Sequence, residues 1–248
     1  MRVTEILACG LLQASLAFST SIDARDVKVV ASKRPSHPAY PYHPKKTCPE
    51  SPPRTKTCSV KARGHGKDDS KNILNAIQKC NNGGHVVFPK DQHFTIGTAL
   101  DLTFLNNIDL GMLRNSCHVA TADTAIDIQG TIQFTNDTDY WQANSFKQVF
   151  QNATTFFQLG GTDINVYGGG TLDGNGQAWY DLYAKDIYIL RPILFGLIGA
   201  ENAKISDLNF RYSPQWYTLV ANSSNVVFSN IDIFGDSTSK NPAKNTDG

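Results

Sequence analysis

Asn202-Ala203-Lys204-Ile205-Ser206-Asp207-Leu208-Asn209-Phe210 aligns with Asn225-Val226-Val227-Phe228-Ser229-Asn230-Ile231-Asp232-Ile233 at an offset of 23 residues. Both copies end with apolar residues alternating with polar ones, Leu208 and Phe210 in the first and Ile231 and Ile233 in the second, so each is expected to be a strand with one buried face. A partial copy, Asp163-Ile164-Asn165-Val166-Tyr167-Gly168, lies 39 residues before the first, and an aromatic loop from Gln177 to Tyr188 takes up the excess. A strand-built repeat of about 20–25 residues cannot bury its apolar side alone; stacked copies form a parallel β-helix with one continuous core. A leucine-rich solenoid has a similar period but needs a Leu-x-x-Leu-x-Leu ladder, and the sequence has none. The expected class is therefore all-β, a parallel β-helical solenoid. The 19 Gly, 13 Phe and 2 Met of the 248 residues also suit strands and turns better than a helical bundle.

Charge divides the chain. The net charge is +1, but residues 24–67 hold 11 Lys/Arg against Asp26 and Glu50, a local +9, and residues 68–248 hold 11 against 18 Asp/Glu, a local −7. The basic stretch also carries seven of the eleven prolines, which cannot continue a helix or a central strand. Residues 20–67 are thus expected to be an extended basic arm, with order beginning near Lys67, and residues 68–248 the body. Such an arm on an acidic body suits contact with nucleic acid or an acidic polysaccharide, but a solvated leader is the simpler reading and nucleic acid is not expected as a partner. Residues 1–19 read as a secretory signal peptide: Met1-Arg2, an apolar run from Ile6 to Leu12, then the small residues Ser15, Ala17 and Ser19. The alternative is a buried N-terminal helix. No other stretch reaches the roughly 18–20 apolar residues of a membrane span, so a soluble, secreted, extracellular protein without membrane contact is expected.

Export is supported by three Asn-x-Ser/Thr sequons, at Asn136, Asn152 and Asn222. Without Cys9 of the leader, Cys48, Cys58, Cys80 and Cys117 permit two disulfides in three connectivities, none selected by spacing. No Cys-x-x-Cys pair or His ladder occurs, so a structural zinc site is not expected. Asp68-Asp69-Ser70 can cap a short helix whose Ile73, Leu74, Ile77 and Cys80 share one face and which Asn81-Asn82-Gly83-Gly84 ends. Residues 111–126 interrupt a pattern that otherwise joins Ile108-Asp109-Leu110 to Asp127-Ile128-Gln129-Gly130, and read as a retained intron or similar gene-model insertion.

Gly169-Gly170-Thr171-Leu172-Asp173-Gly174-Asn175-Gly176, followed far downstream by Asn245-Thr246-Asp247-Gly248, resembles glycoside hydrolase family 28, the polygalacturonases, and within it the fungal exo-acting galacturan 1,4-alpha-galacturonidases. Supporting stretches are Gln177-Ala178-Trp179-Tyr180-Asp181, Tyr212-Ser213-Pro214-Gln215-Trp216-Tyr217 and Val220-Ala221-Asn222-Ser223; together they cover about residues 68–248. The resemblance implies a right-handed parallel β-helix with a short N-terminal capping helix, acting as a monomer on pectic polysaccharide. It implies hydrolysis of terminal α-1,4-galacturonosyl bonds with inversion, without a metal or a cofactor. That chemistry needs one carboxyl group to protonate the leaving oxygen and another to activate water on the opposite face. By the resemblance Asp247 is the water-activating carboxylate and Asn245 orients the site through its amide.

The family's Asp-Asp pair, Gly-His-Gly and Arg-Ile-Lys lie beyond its Asn-Thr-Asp, whereas here only Gly248 follows Asp247. The resemblance therefore implies the N-terminal half of a β-helix without its proton donor, expected to be inactive as it stands. Gly64-His65-Gly66 has the right letters in the wrong place and is not carried over. Lys240, Lys244, Arg191 and Arg211 are cations that can pair with substrate carboxylates, although surface charge explains any one of them. Trp141, Trp179, Tyr180 and Trp216 can stack on sugar rings or pack on the coils. Asp173 reads as a turn residue rather than a second catalytic carboxylate. Three readings follow: an exo-acting polygalacturonase homologue; an inactive solenoid that at most binds pectin; and a calcium-dependent pectate lyase, against which Asn-Thr-Asp-Gly argues.

Overall fold

The computed structural model describes residues 56–110 and 126–248. In order, the elements are β1 (Lys56–Ser59), α1 (Ser70–Cys80), β2 (Gly84–Phe88), β3 (His93–Ile96), β4 (Leu100–Leu110), β5 (Ile126–Ile128), β6 (Thr131–Phe134), α2 (Thr138–Asn144), β7 (Phe146–Lys147), β8 (Thr154–Thr155), β9 (Phe157–Tyr167), β10 (Thr171–Asp173), α3 (Gln177–Tyr183), β11 (Pro192–Ile193), β12 (Phe195–Arg211), β13 (Thr218–Ala221) and β14 (Ser224–Phe234). Except for the antiparallel β7–β8 pair, all of the strand pairings are parallel. The chain is a parallel β-helix, as expected.

Register follows the repeat. Ala203 partners Val226 at the offset of 23, with Leu208 opposite Ile231 and Phe210 opposite Ile233. Ala203 also partners Ile164, the offset of 39, and α3 fills the extra length. Each coil turns on a residue with positive φ: Asn107 (47°), Asp163 (54°), Asn202 (57°) and Asn225 (52°). Asn225 Nδ2 donates to Asn202 Oδ1 (2.6 Å) and Asn202 Nδ2 to Asp163 Oδ1 (3.1 Å), so this corner is a ladder of side-chain hydrogen bonds. A second one joins Asn230 Nδ2 to Asp207 Oδ1 (2.7 Å). The left-handed conformation costs an ordinary side chain about 1–2 kcal/mol; Asn and Asp tolerate it better, and a ladder bond returns about 1 kcal/mol.

Inward residues stack in the same register. Phe94, Ile132, Leu172 and Phe210 succeed one another across four strands and are all 5 % exposed or less. Phe134 stacks on Phe156 at 4.1 Å between ring centroids, with Trp141 edge-on to both. Each such ring contributes about 2–3 kcal/mol of apolar burial. Gly170 is required by this packing, since a Cβ there would lie 1.9 Å from the Ile128 carbonyl oxygen. The glycine run thus serves coil packing.

One boundary differs from expectation. Order starts by Lys56 rather than Lys67: β1 pairs with β2, Val60 is 1 % exposed, and Cys58 is disulfide-bonded to Cys80 at the end of α1. The proline and lysine content of residues 20–67 hides this short strand. Cys48, Cys117 and residues 1–19 lie outside the described residues. Helix α1 begins where expected, with Asp69 at the N-cap position but making no capping bond through its side chain. Asp68 accepts from Ser70 N (2.9 Å), Gly97 N (2.9 Å) and Thr98 Oγ1 (2.7 Å), while Asp69 accepts from Arg63 N and Thr95 N. Burial works against the charged form of Asp68, but its bonds to Ser70, Gly97 and Thr98 outweigh it and hold the carboxyl below its usual range.

The interruption at 111–126 lies mostly outside the described residues, and its flanks are informative. Leu110 partners Val166 and Asp127 partners Tyr167, so consecutive positions of β9 meet residues on either side of the segment. On the other neighbour His85 partners Asp109 and Val87 partners Asp127. Both ladders read as though Asp127 followed Leu110. Deleting residues 111–126 is therefore expected to leave a cooperatively folding chain with equal or greater stability, by up to about 2 kcal/mol of loop-closure entropy. Loss of cooperative melting in the deletion variant would show that the segment belongs to the coil. Replacing Cys58 and Cys80 by Ser is expected to cost about 3 kcal/mol in denaturant unfolding, as for a closed loop of this order; an unchanged midpoint would contradict it.

Candidate functional site

The loop that carries Asn245-Thr246-Asp247 crosses the side of the coil stack and is held from below. Helix α3 buries Trp179 and Tyr180 and turns Gln177 and Asp181, four residues apart, toward the loop. Gln177 Oε1 accepts from Thr238 N (2.7 Å) and Thr238 Oγ1 (2.9 Å); Asp181 Oδ1 accepts from Ser239 Oγ (2.6 Å) and Asn241 Nδ2 (2.8 Å). Hydrogen bonds from Ser239, Asn241 and Gln177 hold the Asp181 carboxyl below its usual range.

Arg191 fixes the next residues. It is 5 % exposed, and its Nη1 donates to the carbonyls of Pro214 (2.8 Å) and Lys244 (2.7 Å), its Nη2 to Asn245 Oδ1 (2.7 Å). The guanidinium lies 3.8 Å above the Tyr183 ring, and no carboxylate pairs with it among the described residues. Burial lowers its pKa, partly countered by Tyr183 and Tyr180; an arginine nonetheless stays charged. Arg191 is thus a buried clamp on the Asn-Thr-Asp loop, not a surface cation for substrate. The planar fork explains why arginine stands here: one side chain satisfies three acceptors on two neighbouring segments.

Backbone bonds then set the neighbours of Asp247. Leu194 N donates to Trp216 O (3.3 Å) and Tyr217 N to Asp247 O (2.9 Å). In a parallel ladder such bonds run to the residue preceding the partner, so Ile193, Trp216 and Asp247 occupy one row on successive coils, about 4.8 Å apart. Asp247, Asn245, Lys244 and Lys240 are exposed. Neither lysine forms an ion pair among the described residues. Arg211 is engaged: Nη2 lies 2.7 Å from Asp232 Oδ2, and Nη1 donates to the Phe210 and Asp232 carbonyls. Asp173 accepts from Asn175 N (2.7 Å) and Gln133 Nε2 (3.0 Å), a turn role. Of the four aromatic candidates, Trp141, Trp179 and Tyr180 are core residues, each 1 % exposed or less, and Trp216 alone remains partly exposed. The sequon residues Asn136, Asn152 and Asn222 are all exposed.

Sequence reading did not find the clamp. Gln177 and Asp181 carried a helical i, i+4 spacing that hints at a shared face, whereas Arg191 and Asn245 are 54 residues apart and give no local signal.

A family model, "Glycosyl hydrolases family 28", matches residues 94–248. An exopolygalacturonase of Cochliobolus carbonum is 74 % identical over the whole chain, which spans 52 % of that protein. A probable exopolygalacturonase X of Aspergillus fumigatus is 65 % identical over 84 % of the chain and 44 % of its own length. Among solved structures, the endo-xylogalacturonan hydrolase of Aspergillus tubingensis superposes with a TM-score of 0.61 at 32 % identity, over 77 % of this chain and 46 % of that one. An exopolygalacturonase of Thermotoga maritima has a TM-score of 0.57 at 19 % identity, over 80 % of this chain and 50 % of its own, and shares the fold. The chain spans about half the length of the relatives it matches.

Replacing Arg191 by Lys keeps the charge and loses the fork. It is expected to cost about 2–3 kcal/mol in chemical unfolding, with a coupling of about 1–2 kcal/mol to Asn245→Ala in a double-mutant cycle. Strictly additive effects would contradict the clamp.

Proposed function

The chain belongs to glycosyl hydrolases family 28, and we propose that it acts in the hydrolysis of terminal α-1,4-galacturonosyl bonds of polygalacturonate, with inversion, as an exo-acting polygalacturonase. The observation that carries this reading is the exposed Asp247 standing beside a loop that Arg191 immobilises from beneath. Asp247 takes a proton from water as the water attacks the anomeric carbon; on the opposite face the glycosidic C–O bond breaks and its oxygen is protonated by a second carboxyl group, which by the family's pattern belongs to the Asp-Asp pair beyond Asn-Thr-Asp. Asn245 has given its carbonyl oxygen to Arg191, which leaves its NH2 group to orient the water or a sugar hydroxyl. Lys244 and Lys240 meet the uronate carboxylates; Arg211 does so only by giving up Asp232.

Export to the cell exterior fits this substrate. Residues 1–19 serve as the signal peptide, Asn136, Asn152 and Asn222 as glycan acceptors on exposed positions, and the Cys58–Cys80 disulfide suits an oxidising compartment. No helix among the described residues is long and apolar enough to cross a membrane. The protein works as a monomer on pectic polysaccharide. A second reading, a module that binds pectin without cleaving it, is supported by the exposed Lys240 and Lys244, neither of which forms an ion pair among the described residues.

Incubation of the 248-residue chain with trigalacturonate, followed by proton NMR of the fresh product, separates these readings. Stepwise release of galacturonate as the β-anomer, reduced at least about 10²-fold by Asp247→Asn, is the expected outcome for the enzyme. Binding without release would establish the second reading, and an unsaturated product would overturn both in favour of a lyase.

A further inference from the structure

Two aromatic rings beside Asp247 are left over by every role assigned so far. Trp216 occupies the row position one coil below Asp247, where its carbonyl accepts from Leu194 N (3.3 Å) and from Ser213 Oγ (2.7 Å). Phe150 reaches it from another coil, with ring centroids 5.9 Å apart and planes tilted by 42°. Although it touches Trp216, Phe150 remains 57 % exposed. The core rings Phe94, Phe134, Phe156 and Phe210 are at 0 % exposure, whereas Phe150 is left largely open, as is Phe234 at 54 %. Phe150 therefore gains little apolar burial where it stands.

The loop that presents it is tightly built. Gln148 N donates to Ala153 O (2.8 Å) and Ala153 N to Phe150 O (2.9 Å), closing the turn on itself. Inside it Gln151 and Asn152 both adopt positive φ, 47° and 58°. Two consecutive non-glycine residues in that region are unfavourable and persist where the surroundings enforce them, often at ligand sites. The two ring planes are tilted by 42° rather than stacked flat, and Trp216 shares its row with Asp247 on the next coil.

We infer that Phe150 and Trp216 form a sugar-binding subsite that holds a galacturonate ring by its C–H face, one coil removed from Asp247. The inference rests on the reading of Asp247 as the water-activating group and adds the neighbouring position along the saccharide. A galacto-configured ring gathers C3–H, C4–H and C5–H on one face, which suits the negative face of an aromatic ring. A gluco-configured ring places its C4–H on the opposite face and leaves a smaller apolar patch. The carboxylate of the stacked sugar points to solvent on the side of Lys244, three residues from Asp247 and without a pairing acid among the described residues. The subsite thus selects galacturonate over glucuronate by ring shape, and uronate over neutral hexose by charge.

Trigalacturonate titrated into the 248-residue chain tests this through tryptophan quenching by neutral acrylamide. Trp141 and Trp179 are at 0 % exposure, so any protection that the saccharide confers reports Trp216. Protection of Trp216, a loss of affinity of about three- to tenfold in Phe150→Ala and a larger one in Trp216→Ala, and weaker binding of triglucuronate are expected. Phe150→Ala removes an exposed ring and should leave the thermal midpoint unchanged, which keeps the comparison free of folding defects. If trigalacturonate binds but acrylamide still quenches Trp216 and Phe150→Ala binds as tightly as the parent, the subsite is wrong while the uronide-directed function stands. If the parent chain binds no trigalacturonate at all, both fail.

Discussion

The left-handed corner repeated on each coil is the constraint on which the rest of this molecule depends. Asn107, Asp163, Asn202 and Asn225 turn the chain at the same place in successive coils, and the side-chain hydrogen bonds between the last three lock their heights together. A slip of one residue at any corner would turn every inward side chain of that coil to solvent. It would separate Phe94, Ile132, Leu172 and Phe210, whose stack is the spine of the core. Because the corner bonds are worth only about 1 kcal/mol each, apolar stacking supplies most of the stability and the corners supply the register.

Register is also what makes the site. Residues that are 23, 31 or 54 apart in sequence meet only because their coils are stacked in phase. Arg191 can bond Pro214, Lys244 and Asn245 at once because they lie on neighbouring coils within the span of one side chain. Trp216 stands beside Asp247 for the same reason. The exposed carboxylate thus sits on a foundation of buried groups, which in the proposed role of Asp247 would leave little reorganisation to be made when substrate arrives.

What was legible in the sequence follows from the range of the physics involved. The strands at 202–210 and 225–233 could be read because their alternation is local and their offset is preserved in the pairing of Ala203 with Val226. Helix α1 could be read from Ile73, Ile77 and Cys80, which are among its buried residues, although Asp69 at the N-cap turns its carboxylate to Arg63 and Thr95 while Asp68 accepts from Ser70 N. The strand at Lys56–Ser59 could not, because its stability comes from the partner strand and the disulfide rather than from its own proline- and lysine-rich surroundings. The Asn-Thr-Asp loop was found by family likeness. Its support by Gln177, Asp181 and Arg191 was invisible, since each contact spans more than fifty residues. Trp216 was one of four equal candidates until burial removed the other three.

A crystal structure of the chain soaked with trigalacturonate tests the central claim most directly, that the surface at Asp247 and Trp216 is the uronide site. The account predicts saccharide density over Asp247 and Trp216, with a sugar carboxylate toward Lys244. Ordered saccharide elsewhere with that surface empty, for instance in the open cleft lined by Lys61, His65 and His93, would contradict it.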